Sequence, residues 1–190
     1  MWSNCNIELI TQLKEAERKD NENASQILDN LMECFGDKVM RLAYCYVRDR
    51  YIAEDILQEV FYRVYVNLGK FRGDSTYFTW IYRITKNLCQ DYLASAYFRR
   101  MLPWHNLETR TAYEDAAVQF EDSEGGDIFI TVMELPQKYR TVIALYYFED
   151  FTTPEISKIL NIKETTVRTR LSRGRDMLRQ LLTGEGLGRG

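Results

Sequence analysis

The sequence predicts an all-α protein in which two small helical domains are joined by a flexible acidic linker. Its 190 residues are 45% apolar and 28% charged, a composition typical of globular domains. Apolar residues recur at helical spacing through residues 1–98 and 127–190, without the alternation of a half-buried strand. From Trp104 to Asp127 there are seven acids and one base, which predicts a solvated linker over residues 99–126.

Five helices are predicted in the first segment, at residues 7–19, 24–35, 37–48, 51–68 and 77–98. The fourth has a single apolar stripe and a glycine stop at Gly69. This stripe consists of Ile52, Ile56, Val60, Phe61, Val64 and Leu68. The fifth has the stripe of a buried helix at Tyr77, Ile81, Ile84 and Leu88. The two stripes predict the core of the first domain.

Four helices are predicted in the second segment, at residues 128–134, 137–148, 153–160 and 164–182. Thr152 and Glu155 form a capping box with Pro154 in the first turn, so a helix begins there. Asn161 tolerates the left-handed conformation of a tight turn, and the next helix starts a few residues later. Apolar residues spaced to pack these helices together are Ile156, Ile159, Leu160, Ile162, Val167 and Leu171, facing Val142, Leu145 and Tyr146. The pattern predicts a helix-turn-helix.

The sequence lacks the residues that several classes of function require. His105 is the single histidine and no glycine-rich nucleotide loop is present, so we expect no metal site, no cofactor and no enzymatic activity. Residues 1–10 do not resemble a secretory signal, and no apolar run could span a bilayer, which predicts a cytoplasmic protein. The separated cysteines Cys5, Cys34, Cys45 and Cys89 are interpreted as reduced packing residues, with a thiol sensor at Cys34 and Cys45 as the alternative.

The predicted helix from Tyr51 has one contiguous polar face opposite its apolar stripe. Helical spacing brings together Asp55, Gln58, Glu59 and Tyr62. A basic protein partner could bind such a face through complementary charge. On spacing alone, a solvated surface is the favoured interpretation.

Aromatic and basic residues are mixed between Lys70 and Asn87. Outside the buried stripe of this helix lie Trp80, Arg83, Lys86 and Asn87. Base faces stack on aromatic rings while cations neutralise phosphate, so this composition is typical of single-strand binding. The alternative is that the aromatic residues belong to the core.

The second helix of the predicted helix-turn-helix exposes short polar and guanidinium groups. They are Thr165, Arg168, Thr169, Ser172 and Arg173. Such groups reach base edges and phosphates in a major groove. Residues 161–182 contain six bases and two acids, and this excess favours DNA binding over a purely structural helical hairpin.

Four stretches of the sequence resemble the extracytoplasmic-function (ECF) RNA polymerase sigma factors, group IV of the sigma-70 family. In the family's order they are DILQEVFYRVY (55–65), FRGDSTYFTWIYRITKN (71–87), LPQKYRTVIALYYFEDFTTPEISKIL (135–160) and TVRTRLSRGRDML (166–178). The resemblance implies a region 2 domain over residues 1–98 and a region 4 domain over residues 127–190. It also implies a sigma factor that binds core RNA polymerase and directs promoter-specific transcription initiation.

The resemblance further implies roles for individual residues. Asp55, Gln58 and Glu59, with Tyr62 on the same face, would bind the clamp helices of the largest polymerase subunit. Melted minus-10 bases would be captured by Phe71, Arg72, Gly73, Asp74, Ser75, Trp80, Arg83, Lys86 and Asn87. The minus-35 duplex would be read by Thr165, Thr166, Arg168, Thr169, Ser172 and Arg173.

The partners implied are core RNA polymerase, through its clamp helices and flap, promoter DNA, and an anti-sigma factor. In this family the anti-sigma factor is often anchored in the membrane, while the sigma factor itself does not insert. Two alternatives stay open. A free-standing helix-turn-helix regulator would bind duplex DNA unaided, usually as a dimer. A sigma mimic would sequester an anti-sigma factor without starting transcription.

Overall fold

We describe a computed structural model of the chain, for residues 22–71, 76–101 and 126–183. Throughout these ranges the regular elements are helical. The first domain contains α1 (Glu22–Val47), α2 (Arg50–Asn67), a 3-10 turn (Leu68–Lys70) and α3 (Tyr77–Met101). The second contains α4 (Gly126–Glu134), α5 (Gln137–Tyr147), α6 (Thr153–Leu160) and α7 (Glu164–Thr183). None of these described helices is both long and apolar enough to cross a membrane.

Helix α1 corrects the sequence prediction, which divided it into two helices, 24–35 and 37–48. It is continuous through Gly36. A mid-helix glycine costs about 1 kcal/mol relative to alanine. Burial outweighs that cost, because one apolar stripe continues on both sides of Gly36 through Leu31, Phe35 and Val39. The predicted helix 7–19 lies outside the described residues. The predicted linker, 99–126, also lies outside them except at its ends, where the structure corrects its bounds: α3 continues to Met101 and α4 begins at Gly126.

Helices α1, α2 and α3 pack together around the predicted stripes. Ile56, Val60 and Val64 of α2 are buried, and Ile81 of α3 is fully enclosed. Ile52 and Ile84 are only half-buried, at the edge of the core. Asp49 begins α2 by accepting a 3.1 Å hydrogen bond from the Ile52 N–H. The predicted core of the first domain is therefore correct for its central residues, whereas the residues predicted at its edge are only half-buried.

Helices α5, α6 and α7 form the predicted helix-turn-helix. Glu155 Oε2 accepts hydrogen bonds from the Thr152 N–H at 2.9 Å and the Thr152 hydroxyl at 2.6 Å, at the start of α6. Asn161 makes the turn in the left-handed conformation, with φ 55° and ψ 50°. The Ser157 hydroxyl donates to the Ile162 carbonyl at 2.6 Å and so ties the turn to α6. These contacts fix the direction in which α7 leaves the turn.

Gly174 lets α7 approach α5 closely. A Cβ at this position would lie 2.9 Å from Ile143 Cγ1, closer than real Cβ contacts. Val167 and Leu171 of α7 and Ile156 of α6 are buried in the same core. The packing predicted from the apolar spacing is present.

Two cysteines of the first domain are inaccessible. Cys45 and Cys89 are fully buried, and burial raises the pKa of each thiol to about 12. The thiolate is the reactive form, so these groups are poor nucleophiles at neutral pH. The environment of Cys45 and Cys89 therefore supports the packing interpretation, whereas Cys34, the other residue of the thiol-sensor alternative, is half-buried.

Candidate nucleic-acid and polymerase interfaces

The N-terminal half of α7 presents a polar face to solvent. Its exposed residues include all five predicted from spacing: Thr165, Arg168, Thr169, Ser172 and Arg173. Thr166, which the family resemblance adds, is half-buried. Because Val167 and Leu171 anchor the opposite side of the helix, this face has a fixed orientation.

The two arginines of this face each donate hydrogen bonds to a neighbouring side chain. Glu164 Oε1 accepts hydrogen bonds from Arg168 Nε at 3.1 Å and Nη2 at 2.7 Å, and from the Thr153 hydroxyl at 2.8 Å. The bonds from Arg168 and Thr153 lower the pKa of the Glu164 carboxyl below its usual value. On α5, a hydrogen bond from Arg173 lowers the pKa of the Tyr139 hydroxyl. This ion pair was not among the sequence predictions, although the i,i+4 spacing of Glu164 and Arg168 signals it.

An aromatic cluster lies at the start of α3. Phe71 stacks on Tyr77 with ring centroids 4.1 Å apart, and Trp80 lies 5.2 Å from Phe71. Phe71 and Trp80 are half-buried, so each ring packs on the core and keeps part of its surface accessible. The rings therefore belong to the core in part, as the alternative interpretation predicts, and they keep accessible surface that a ligand could contact.

Polar residues follow the aromatic cluster along α3. Arg83 and Asn87 are exposed and Lys86 is half-buried. Lys86 Nζ donates to Asn87 Oδ1 at 3.1 Å, and Arg83 Nε donates to the Lys158 carbonyl of α6 at 3.0 Å. Arg72, Gly73, Asp74 and Ser75, the loop part of the predicted minus-10 site, lie outside the described residues.

The predicted polar face of α2 is exposed. Asp55, Gln58 and Tyr62 are open to solvent, with Tyr62 64% exposed, and Glu59 is half-buried and paired with Arg63 at 2.7 Å. Asp55 and Glu59 also line a groove of about 400 Å³ between α2 and α3. Tyr65 and Val66, which were not among the predicted site residues, are exposed and extend this face with apolar surface. Exposed aromatic groups are enriched in protein interfaces, and the carboxylates give the face a charge that complements a basic partner.

A second groove, absent from the sequence predictions, lies between α4, α5 and α7. It has a volume of about 630 Å³ and apolar walls that include Val132, Tyr147 and Leu178. Arg175 and Arg179 also line it. Ile128 and Leu182 at its rim are exposed apolar residues.

Comparison with known proteins identifies both domains. Residues 31–99 match the family described as Sigma-70 region 2, and residues 131–178 match Sigma-70, region 4. The chain is 35% identical to the ECF RNA polymerase sigma factor SigW of Bacillus subtilis, over 90% of this chain and 95% of SigW. It is 29% identical to the RNA polymerase sigma-H factor of Pseudomonas aeruginosa, over 90% and 92% of the two chains. The chain therefore contains both sigma region 2 and sigma region 4.

Solved structures show the same fold. CnrH in complex with the cytosolic domain of CnrY matches with a TM-score of 0.61 and 20% identity, over 93% of this chain and 97% of that chain. RpoE in complex with the anti-sigma factor NepR, from Bartonella quintana, matches with a TM-score of 0.61 and 18% identity, over 85% and 98%. The all-α, two-domain prediction is confirmed.

The chain belongs to the ECF sigma factors of the sigma-70 family. It is thus a sigma factor that directs promoter-specific transcription initiation, as the sequence resemblance implied. The free-standing regulator and the sigma mimic are not favoured, because the likeness to sigma factors covers both domains and nearly the whole chain.

Proposed function

We propose that the two domains of this sigma factor have different binding functions. Residues 1–101 form region 2, which binds core polymerase and the melted minus-10 element; residues 102–125 form the linker, and residues 126–190 form region 4, which binds the minus-35 duplex. The observation that carries the proposal is the exposed face of α7, whose short polar groups and guanidinium groups project from the second helix of a helix-turn-helix.

Region 4 reads the minus-35 element from the major groove. Arg168 and Arg173 donate to guanine edges or phosphates, and Thr165, Thr166, Thr169 and Ser172 make shorter contacts. Glu164 supports this role because it orients Arg168 at the helix start, where an unrestrained arginine would lose rotamer entropy on binding. Glu164 is therefore a positioning residue for the duplex surface.

Region 2 holds flipped non-template bases at the start of α3. The accessible parts of Phe71 and Trp80 supply stacking surface, and stacking contributes about 1–3 kcal/mol per base. Arg83, Lys86 and Asn87 follow on the same helix and contact the strand by charge and hydrogen bonds. The loop residues Arg72, Gly73, Asp74 and Ser75 complete this site.

The polymerase interface is the polar face of α2. Asp55, Gln58, Glu59 and Tyr62 bind the clamp helices of the largest subunit, and the flap binds region 4. The chain makes and breaks no covalent bond itself; its contribution is recruitment and positioning, without metal or cofactor. It works in the cytoplasm, where an anti-sigma factor, anchored in the membrane, withholds it from polymerase.

The decisive experiment is run-off transcription with purified core polymerase on a library of promoter fragments. We expect start sites that require this chain and disappear with Asp55→Ala/Gln58→Ala/Glu59→Ala. The matched control is Gln26→Ala/Asp29→Ala/Glu33→Ala, which removes the same three residue types from the exposed face of α1. Loss of activity in both triple variants, or in neither, contradicts the proposed interface. Absence of any sigma-dependent start site contradicts the proposed function.

A further inference from the structure

Arg173 lies at the edge of the exposed face of α7. Around the helix it is about 70° from the mean direction of Thr165, Thr169 and Ser172, which occupy the centre of that face. A long side chain at this edge has room to turn in several directions. Its neighbours on α5 therefore decide where its guanidinium group is held.

Tyr139 of α5 lies directly beside Arg173. Its backbone N–H donates to the Pro136 carbonyl at 2.8 Å in the first turn of α5. Its half-buried side chain packs on the core, and its Cβ is 3.6 Å from the position that a Cβ on Gly174 would take. Because Gly174 follows Arg173 in α7, the packing of α5 on α7 fixes the phenol next to the guanidinium group.

Two cations share the phenol oxygen. The Tyr139 hydroxyl accepts hydrogen bonds from Arg173 and Lys138, and these bonds lower the pKa of the hydroxyl below its usual value. Lys138 Nζ also lies 4.9 Å from the centroid of the Tyr139 ring. Lys138 and Arg173 are both exposed. A phenol has an ordinary pKa of about 10, so at neutral pH it does not cancel the charge of its two donors.

Other arginines of α7 have a different kind of partner. Arg168 donates to Glu164 at 2.7 Å, and Arg179 pairs with Asp176 at 3.5 Å. Each of these pairs has no net charge. Two cations that share a neutral oxygen instead repel each other, and an anion that binds between them relieves the repulsion. The contacts around Tyr139 are therefore suited to an anionic ligand.

We propose that Lys138, Tyr139 and Arg173 form a phosphate clamp, which binds one phosphate of the DNA backbone beside the minus-35 element. This rests on the proposed function, which places the duplex on α7. Phosphates run along the walls of the major groove, and lysine, arginine and tyrosine side chains all contact them in protein–DNA complexes. Tyr139 is a positioning residue that holds the two cations together. The clamp adds α5 to the duplex surface and contributes affinity and register without reading a base.

The test measures binding of the full chain to minus-35 duplexes by fluorescence anisotropy, over about a fourfold range of salt concentration. Lys138→Gln should weaken binding about two- to fivefold, equally on matched and single-mismatch duplexes. The slope of log affinity against log salt should fall in magnitude by about 0.9, the value for one phosphate contact.

Tyr139→Phe separates positioning from charge, because it removes the shared oxygen and keeps both cations. Binding should weaken about two- to tenfold, since Lys138 and Arg173 must then be ordered on binding, while the salt slope stays unchanged. In an Arg173→Ala background most of the effect of Tyr139→Phe should disappear. The urea midpoint of each variant should match that of the wild type, so that a loss of binding does not reflect unfolding.

Arg179→Gln is the matched control. It also removes one exposed positive charge from this domain, at a site where Asp176 already balances it, and should change neither affinity nor slope. An unchanged slope with Lys138→Gln overturns the proposal. Relaxed specificity at one base pair with Arg173→Ala also overturns it, because Arg173 then reads a base. Weaker binding to core polymerase with unchanged DNA binding means that the cluster binds an acidic protein surface, which is equally contrary to the proposal.

Arg168→Ala distinguishes failure of the clamp from failure of the proposed function. If Arg168→Ala weakens binding to the minus-35 duplex and Lys138→Gln does not, the clamp is wrong and α7 still binds the duplex. If neither variant changes the affinity, the proposed minus-35 surface itself is wrong.

Discussion

The two proposed DNA surfaces differ in whether their side chains also pack in the protein core. On α7, the exposed polar groups belong to a face that the core does not use, and buried Val167 and Leu171 anchor the opposite side. On α3, Phe71 and Trp80 pack on the core with one part of each ring and leave the other part accessible. Duplex reading uses polar and guanidinium groups on a rigid helix, whereas single-strand capture uses the faces of large rings. Large rings contribute to folding wherever they lie.

Replacement of Trp80 by alanine should have the largest effect, because it breaks both roles. Loss of a half-buried ring should lower the free energy of unfolding by about 1–3 kcal/mol, less than for a fully buried tryptophan. Loss of stacking should cost about 1–3 kcal/mol in affinity for single-stranded minus-10 DNA. Denaturant unfolding and fluorescence anisotropy measure the two effects. Trp80→Phe, which keeps a ring, should recover most of both; an alanine variant that loses only one of them contradicts the shared role.

Replacement of Arg168 by alanine should affect binding alone. Affinity for the minus-35 duplex should fall by about 1–3 kcal/mol, with relaxed specificity at one base pair. The free energy of unfolding should change by less than about 0.5 kcal/mol, as for other surface positions. Anisotropy on matched and single-mismatch duplexes, with urea unfolding in parallel, measures both. Equal losses on every duplex would mean that Arg168 binds phosphate and reads no base.

Replacement of Glu164 by glutamine should have the smallest of the three effects. It tests the proposed role of Glu164 in positioning Arg168. The Glu164 pKa is lower in the folded protein than its unfolded value of about 4.5, so its contribution is present above pH 4.5. That contribution disappears as the pH falls through the lower folded value. The wild type should therefore lose stability on acidification relative to Glu164→Gln, in parallel melts between pH 7 and pH 3. Identical pH dependence of the two proteins contradicts the ion pair.

The helix-turn-helix could be predicted from the sequence because its signals are local. The capping box at Thr152 and Glu155 and the left-handed turn at Asn161 depend on residues a few positions apart. The continuity of α1 was not predicted because a glycine suggests a break in a helix. The helix stays continuous because the apolar stripe through Leu31, Phe35 and Val39 is buried against the rest of the domain.

The contacts of Glu149 with Arg41 and Tyr82, which join the two domains, could not be predicted because these residues are distant in sequence. Glu149 lies 108 residues from Arg41 and 67 from Tyr82, so no periodicity connects them. Helical spacing did not place Tyr82 on the buried stripe of α3, and contacts with Glu149 and Phe151 of the second domain contribute to its burial. Exposed Tyr65 and Val66 were missed for the opposite reason, since spacing predicts which side of a helix is buried and not which apolar groups stay uncovered.

The most direct test of the division of labour is footprinting of core polymerase with this chain, on a promoter found by run-off transcription. Nuclease protection reports the minus-35 duplex and permanganate reactivity reports melted minus-10 bases. We predict that Arg168→Ala weakens the upstream protection, while Trp80→Ala retains that protection and reduces melting. Loss of the same signal in both variants, or of upstream protection with Trp80→Ala alone, would contradict the assignment of one DNA element to each domain.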